Sequence, residues 1–217
     1  MIGKVYSAAV TGIYAVPVEV QADVAPGIPY FELTGNLAGT TKEAKERVRI
    51  AIKNSKFQIN PSKITINMIP ANIRKEGTSY DLAVAVAVLT AVGVIAAKKV
   101  SGALFIGELG LDGGICNVSS ILPMTLCARD NGFTICYVPM GNVGEASLVT
   151  GIRVIGISSL RECVDYINNG CNCRAHVDNN IDNADDNNID FADIRGQASA
   201  KRAITIAAAA RHNLMLI

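Results

Sequence analysis

Five cations recur at helical spacing early in the chain: Lys42, Lys45, Arg49, Lys53 and Lys56. Residues three or four apart share a helix face, so the spacing predicts a row of positive charge. Such a row can follow a phosphate backbone. It can equally serve an inter-subunit contact or keep a surface helix solvated. Phe57 is the only adjacent aromatic residue, so stacking partners are scarce. A second group with donor atoms is Cys171, Cys173 and His176. No fourth ligand stands nearby, so a zinc site is not expected and the thiols read as incidental. The acidic run from Asp178 to Asn188 lacks the central Gly and closing Glu of a calcium loop. No metal site is therefore expected.

The row of cations needs a helix to carry it. Thr40 or Thr41 can cap one that runs to about Ser55, with Ala44, Val48, Ala51, Ile52 and Ser55 on the opposite, apolar face. Strands are expected over 4–14 and 16–24, with Pro17 marking an edge or a bend, and over 28–34 after the Pro26-Gly27 turn. Lys63 to Ile69 reads as another strand. The apolar segment Leu82 to Ala97 reads as a buried helix opened by Thr78, Ser79 and Asp81. It is shorter than the ~20 residues that span a bilayer, and Lys98 and Lys99 end it, so no membrane span is expected. Ala103 to Leu109 reads as a strand followed by a tight turn at Leu111-Asp112-Gly113-Gly114. Helices are expected over 122–131, 144–149 and 159–168, with strands over 134–138 and 154–157. Gly132 falls where the first of these helices would end in a left-handed residue.

These elements make a mixed α/β domain over residues 1–169. Residues 170–189 are polar and acidic, read as a linker, and 190–217 begin a second module. In that module Ala198 to Ala210 reads as a helix, and Leu214 to Ile217 as the start of a buried strand. In nucleotide-binding α/β proteins such a strand feeds a Gly-rich phosphate loop. The chain is accordingly expected to be the front part of a larger ATPase, cut just before that loop.

Half of the 217 residues are hydrophobic and 18% are charged, which suits a globular core. A net charge of +1 gives no global attraction to nucleic acid or membrane, so charge must act locally. The six Cys show no regular disulfide spacing. With no signal peptide at Met1-Ile2-Gly3-Lys4, the reducing cytoplasm is the expected compartment.

Several ordered segments carry a family resemblance. They are Lys4-Val5-Tyr6-Ser7, Thr41 to Ser55, Ile64 to Asn67, Pro70-Ala71-Asn72 with Lys75-Glu76-Gly77, Gly107 to Gly113, Ile121 to Met124, and Asp190 to Gln197 with Lys201-Arg202-Ala203. Together they resemble the magnesium-chelatase-like AAA+ ATPases, the family that includes competence protein ComM. The resemblance implies an N-terminal module with the fold of the Lon proteolytic domain and of some ribosomal protein domains, a sheet with helices packed on one side. The start of an AAA+ module follows it. It further implies ATP and magnesium as cofactors of the whole protein, a homo-oligomeric ring, and DNA branch migration or helicase action in natural transformation.

The Lon likeness raises the question of proteolysis. It places Ser79 near the nucleophile, which would need a Lys to take its proton. Leu122 and Met124 stand where that Lys is expected, and neither accepts a proton. Ser79 is therefore expected to cap a helix, with no catalytic residue in this chain. The resemblance also places Ile194, Gly196 and Gln197 beside the adenine of ATP. The chain lacks the phosphate-loop Lys, so residues 1–217 alone are not expected to bind ATP. Two readings follow: a regulatory or substrate-engaging part of a DNA motor, or a degenerate peptidase-like module that binds proteins for a chaperone-like ATPase.

Overall fold

The computed structural model describes residues 2–170, 191 and 194–216. The expected linker (beyond Gly170), with Cys171, Cys173, His176 and the acidic run, lies outside the described residues. The chain divides into two compact units, Met1–Asn179 and Asn180–Ile217.

The first unit opens with a long antiparallel hairpin of β1 (Gly3–Thr11) and β2 (Tyr14–Pro26). The chain reverses at Gly12 and Ile13, where Gly12 takes a φ of +63° that a residue without Cβ adopts freely. The break between the first two strands therefore falls at this turn and not at Pro17. Pro17 lies inside β2, in the stretch that pairs with β1 before β4 joins the other side at Glu19. A residue with no N–H is tolerated there because that flank has no ladder to complete.

β3 (Tyr30–Thr34), β4 (Ser62–Ile69), β5 (Ala103–Phe105), β8 (Ile135–Pro139) and β9 (Arg153–Ile157) complete a seven-stranded sheet in the order β3-β4-β2-β1-β5-β8-β9. Every strand but β2 runs in one direction. The join between the two halves is short: the register of β1 on β5 consists of Tyr6 opposite Leu104. The expected strand over 103–109 is two pieces. After Phe105 the chain leaves the sheet and Glu108–Leu109 (β6) pairs with Ile115–Cys116 (β7) in a separate hairpin. Its tight turn is the predicted Leu111–Gly114 segment.

Alternation along the strands sends side chains to two faces. Val5, Ala9, Val18, Val20, Ile66, Phe105, Tyr137 and Ile155 join one core cluster. Ala8, Leu104, Cys136, Val138 and Val154 join another. The first core is covered by α2 (Ala44–Asn54), α3 (Asp81–Ala91) and α7 (Leu160–Asn169), and the second by α5 (Ile121–Asp130) and α6 (Val143–Ala146). The α/β architecture is as expected, but the helices are not confined to one side. Only the β2–β4–β3 half leaves a face to solvent, with Glu32, Asp23 and Lys63 exposed.

α3 is buried at every position, as a helix apolar all round must be. Full burial of each of its Leu and Val side chains contributes about 1.5–3 kcal/mol. It is shorter than the 82–97 segment read from sequence. It stops at Ala91, the chain turns through Gly93 (φ +81°), and a separate turn of helix, α4 (Ala97–Val100), follows. The helix expected from Thr40 to Ser55 is also two: α1 (Gly39–Lys42) and α2, broken at Glu43. Thr40 and Thr41 cap neither, and Ala38 holds the position before α1. α7 does follow the capping rule, with Ser159 Oγ accepting from Glu162 N at 3.2 Å. Asn131 and Gly132 close α5, with Gly132 at φ +79° as expected.

In the second unit α8 spans Ala198–Ala210, as the sequence predicts. The expected strand does not form in the described residues beyond it. Leu214, Met215 and Leu216 are exposed without regular structure. A strand needs a ladder partner, and none of the described residues supplies one.

Candidate functional site

Ser79 sits just before α3, 6% exposed. Tyr80 occupies the cap position and no side chain caps the helix, so the expected capping role of Thr78, Ser79 and Asp81 is not realised. The Ser79 carbonyl instead accepts from Gly107 N at 3.0 Å, which ties the loop to the end of β5. Thr78 Oγ1 donates to Glu108 Oε2 at 2.5 Å. Among the described residues nothing hydrogen-bonds the Ser79 hydroxyl, so the first requirement of an activated nucleophile is unmet. Met124 is buried in the core layer on the other sheet face from α3, and Leu122 lies on the same helix, α5. Neither side chain can accept a proton.

Lys75 is the Lys closest to Ser79 in sequence, and its side chain is spoken for. It is wholly buried and donates to the carbonyls of Gly35 (2.7 Å), Met68 (3.3 Å) and Pro70. Burial pushes its pKa down. Yet an ammonium with three donors on three carbonyls keeps its protons and offers no lone pair. Its backbone is tied as well: Lys75 N donates to Asn36 O, and Lys75 O accepts from Ala38 N. Thr41 Oγ1 lies 3.0 Å from the carbonyls of both Lys75 and Gly77. Thr41 therefore braces the loop ahead of Ser79 instead of capping a helix.

A buried ion pair joins α2 to α3. Arg47 Nε and Nη2 donate to Asp81 Oδ2 and Oδ1 at 2.7 and 3.1 Å, the two-pronged geometry that matches guanidinium to carboxylate. Leu109 N donates to Asp81 Oδ2 at 3.3 Å. Burial raises the Asp81 pKa to about 6, against the pull of Arg47. Sequence reading missed this pair. Arg47 stands three residues after Ala44 and four before Ala51, at the edge of the apolar face, and Asp81 falls where a cap is expected. The available signal was a lone carboxylate opening a wholly apolar helix, which must find a partner if it is buried.

The five cations are all exposed, but not on one helix. Lys42 belongs to α1, Lys45, Arg49 and Lys53 to α2, and Lys56 follows its end at φ +63°. Glu46 neutralises part of Arg49 at 2.8 Å. The opposite face of α2 is buried through Ala44, Val48, Ala51 and Ile52, as the periodicity predicts. In the second unit Ile194 is 42% exposed, and Gly196 and Gln197 take φ of +72° and +55° at the start of α8. Lys201 Nζ donates to Ile194 O. Among the described residues no group of three or more His, Cys, Asp or Glu could hold a metal ion. No helix of the described residues is long and apolar enough to cross a membrane.

Fold and site together define an α/β module in which, among the described residues, nothing hydrogen-bonds the Ser79 hydroxyl. Residues 20–142 match the family described as subunit ChlI of Mg-chelatase, and residues 190–217 match magnesium chelatase, subunit ChlI. An uncharacterized protein of Mycobacterium tuberculosis is 34% identical over 99% of this chain and 42% of its own length. Competence protein ComM of Haemophilus influenzae is 33% identical, over 98% of this chain and 42% of its own. The uncharacterized protein YifB of Escherichia coli gives the same three figures. The chain belongs to the magnesium-chelatase-like family that includes ComM. It spans about 42% of the length of these relatives.

Proposed function

We propose that this chain is the N-terminal, substrate-engaging part of an ATP-driven motor that acts on DNA, with no bond-breaking chemistry of its own. The observation that carries the reading is the outward row Lys45, Arg49 and Lys53 on a helix whose other face is sunk in the core. A row fixed by the fold presents charge to a polyanion without reorganisation. The likeness to ComM, named a competence protein, agrees with DNA as the ligand. The first unit then corresponds to a Lon-like fold that has lost its hydrolytic pair, Ser79 being without a base. ATP and Mg²⁺ would be held by the whole protein as a ring in the cytoplasm, with Ile194, Gly196 and Gln197 beside the adenine.

The test is fluorescence anisotropy of a labelled DNA duplex titrated with the 217-residue chain. Binding is expected to weaken as salt rises from about 50 to 200 mM, because phosphate contacts release counterions. Lys45→Glu with Arg49→Glu should weaken it further. Undiminished binding in that double variant excludes the row as the contact. Absence of binding at low salt overturns the reading.

A further inference from the structure

The basic row does not end with α2. Lys56 leads into an open cleft of about 380 Å³ lined by Asn54, Lys56, Asp112, Gly113, Ser159 and Arg161. Three segments far apart in sequence build it: the end of α2, the β6–β7 turn and the start of α7. They are fastened to one another. Asn54 Nδ2 donates to Leu111 O at 2.7 Å, Leu160 N to Gly113 O at 2.8 Å and Ile115 N to Ser158 O at 2.9 Å. The cleft lies at the carboxyl end of β9, the side of an open α/β sheet where ligands gather.

Arg161 is the cation that α7 adds. Its guanidinium carbon lies 4.9 Å from the centre of the Phe57 ring, which holds the charge over an aromatic face next to Lys56. Both cations are exposed, and neither forms a salt bridge within 4.0 Å of a carboxylate among the described residues. The nearby carboxylates, Asp112 in the cleft lining among them, keep their charge, but each is held by a backbone N–H and pairs with neither cation. Asp112 Oδ1 accepts from Gly114 N at 2.9 Å, and Glu162 Oε2 from Ser158 N at 2.7 Å. The helix start itself adds little, since Ser159 Oγ and Gly113 O already take two of its first donors. The attraction comes from the two side chains.

We infer that Lys56 and Arg161 form the far end of a phosphate track, so that one strand of a nucleic acid runs along α2 and enters this cleft. Cations four residues apart on a helix recur about every 6 Å. That is the scale of the separation between neighbouring phosphates of one strand, whose rise along the duplex axis is about 3.4 Å. The cleft is too open and too sparsely donating to enclose a lone phosphate, but it can hold one phosphate of a chain already tethered by Arg49 and Lys53. This inference rests on the DNA reading of the α2 row.

The test uses the same labelled duplex with Lys56→Glu plus Arg161→Glu, and with the milder Lys56→Gln plus Arg161→Gln. Unchanged circular dichroism and melting establish that the variants fold, as exposed positions should. The reversal is expected to lower affinity about tenfold, and the neutral pair, which gives up one phosphate, to lessen the slope of log affinity on log salt by about one. Loss of affinity on Lys45 and Arg49 reversal, with none on Lys56 and Arg161 reversal, overturns the cleft and leaves the α2 reading standing. If neither reversal matters, both fall. Inorganic phosphate is titrated as a competitor. Displacement of the duplex at equimolar phosphate identifies a small-anion site and overturns the track.

Discussion

Asp81, 1% exposed, receives two parallel hydrogen bonds from Arg47, and through this pair α2 is fixed to the start of α3. The pair stands just beyond Ser79, at the first residue of α3. It uses its carboxylate for docking one helix on another.

Arg47→Ala leaves a buried carboxylate without its counter-charge. Removing one member of a buried pair costs about 3–5 kcal/mol, and urea unfolding should show a loss of that order. Arg47→Lys keeps the charge but not the fork, and should fall between the two. A loss under about 1 kcal/mol for the alanine variant would mean the pair is not formed in solution.

Asp81 also sets a pH dependence. Its folded pKa is raised to about 6, above the ordinary carboxylate range near 4. The folded state therefore holds this proton more tightly than the unfolded state does. The contribution is complete below about pH 4, declines through the window up to about 6, and is gone above it. Asp81→Asn mimics the protonated form and removes the titration. Its stability relative to wild type should rise between about pH 4 and 6 and level off above. A difference flat across that window contradicts the shift.

Lys75→Met removes a donor from three carbonyls at once, those of Gly35, Met68 and Pro70. Each buried polar group left unsatisfied costs about 1–3 kcal/mol, so at least about 3 kcal/mol should be lost. Thermal melting is the readout. Amide exchange should quicken first at Lys75 and Ala38, whose N–H groups span this junction.

Ser79→Ala should change stability by less than about 0.5 kcal/mol, since its hydroxyl caps nothing. The wild-type chain should also resist labelling by a fluorophosphonate probe. Stoichiometric labelling lost in Ser79→Ala would restore the peptidase reading.

The sequence made the helix faces legible because periodicity reports burial directly: Ala44, Val48, Ala51 and Ile52 went inside and the cations outside. It misplaced the ends of elements where tertiary bonds overrode local preference. Thr41 was drawn to the Lys75 and Gly77 carbonyls, more than thirty residues on, and the helix broke at Glu43. The chain left the sheet just after Phe105: Ile106 N still bonds to Tyr137 O of β8, and Gly107 N then turns to Ser79 O. Arg161 escaped notice for a similar reason. Its neighbours Phe57 and Lys56 are about a hundred residues away along the chain, and no local pattern links them.

The junction of β1 with β5, where Tyr6 faces Leu104, has a kinetic consequence. On one side lies a hairpin closed by two residues, and on the other two parallel crossovers, β5 to β8 and β8 to β9, with α7 following. Each half can assemble from nearby chain, but this join must close a loop of about a hundred residues with very few ladder bonds to reward it. α3 packs on β1 and β2 on one side of this join and touches β5 on the other, so zipping the halves together must await the docking of that one apolar cylinder. Side-chain truncations within α3 should therefore slow refolding more than they hasten unfolding, which makes it the nucleus of the whole α/β body.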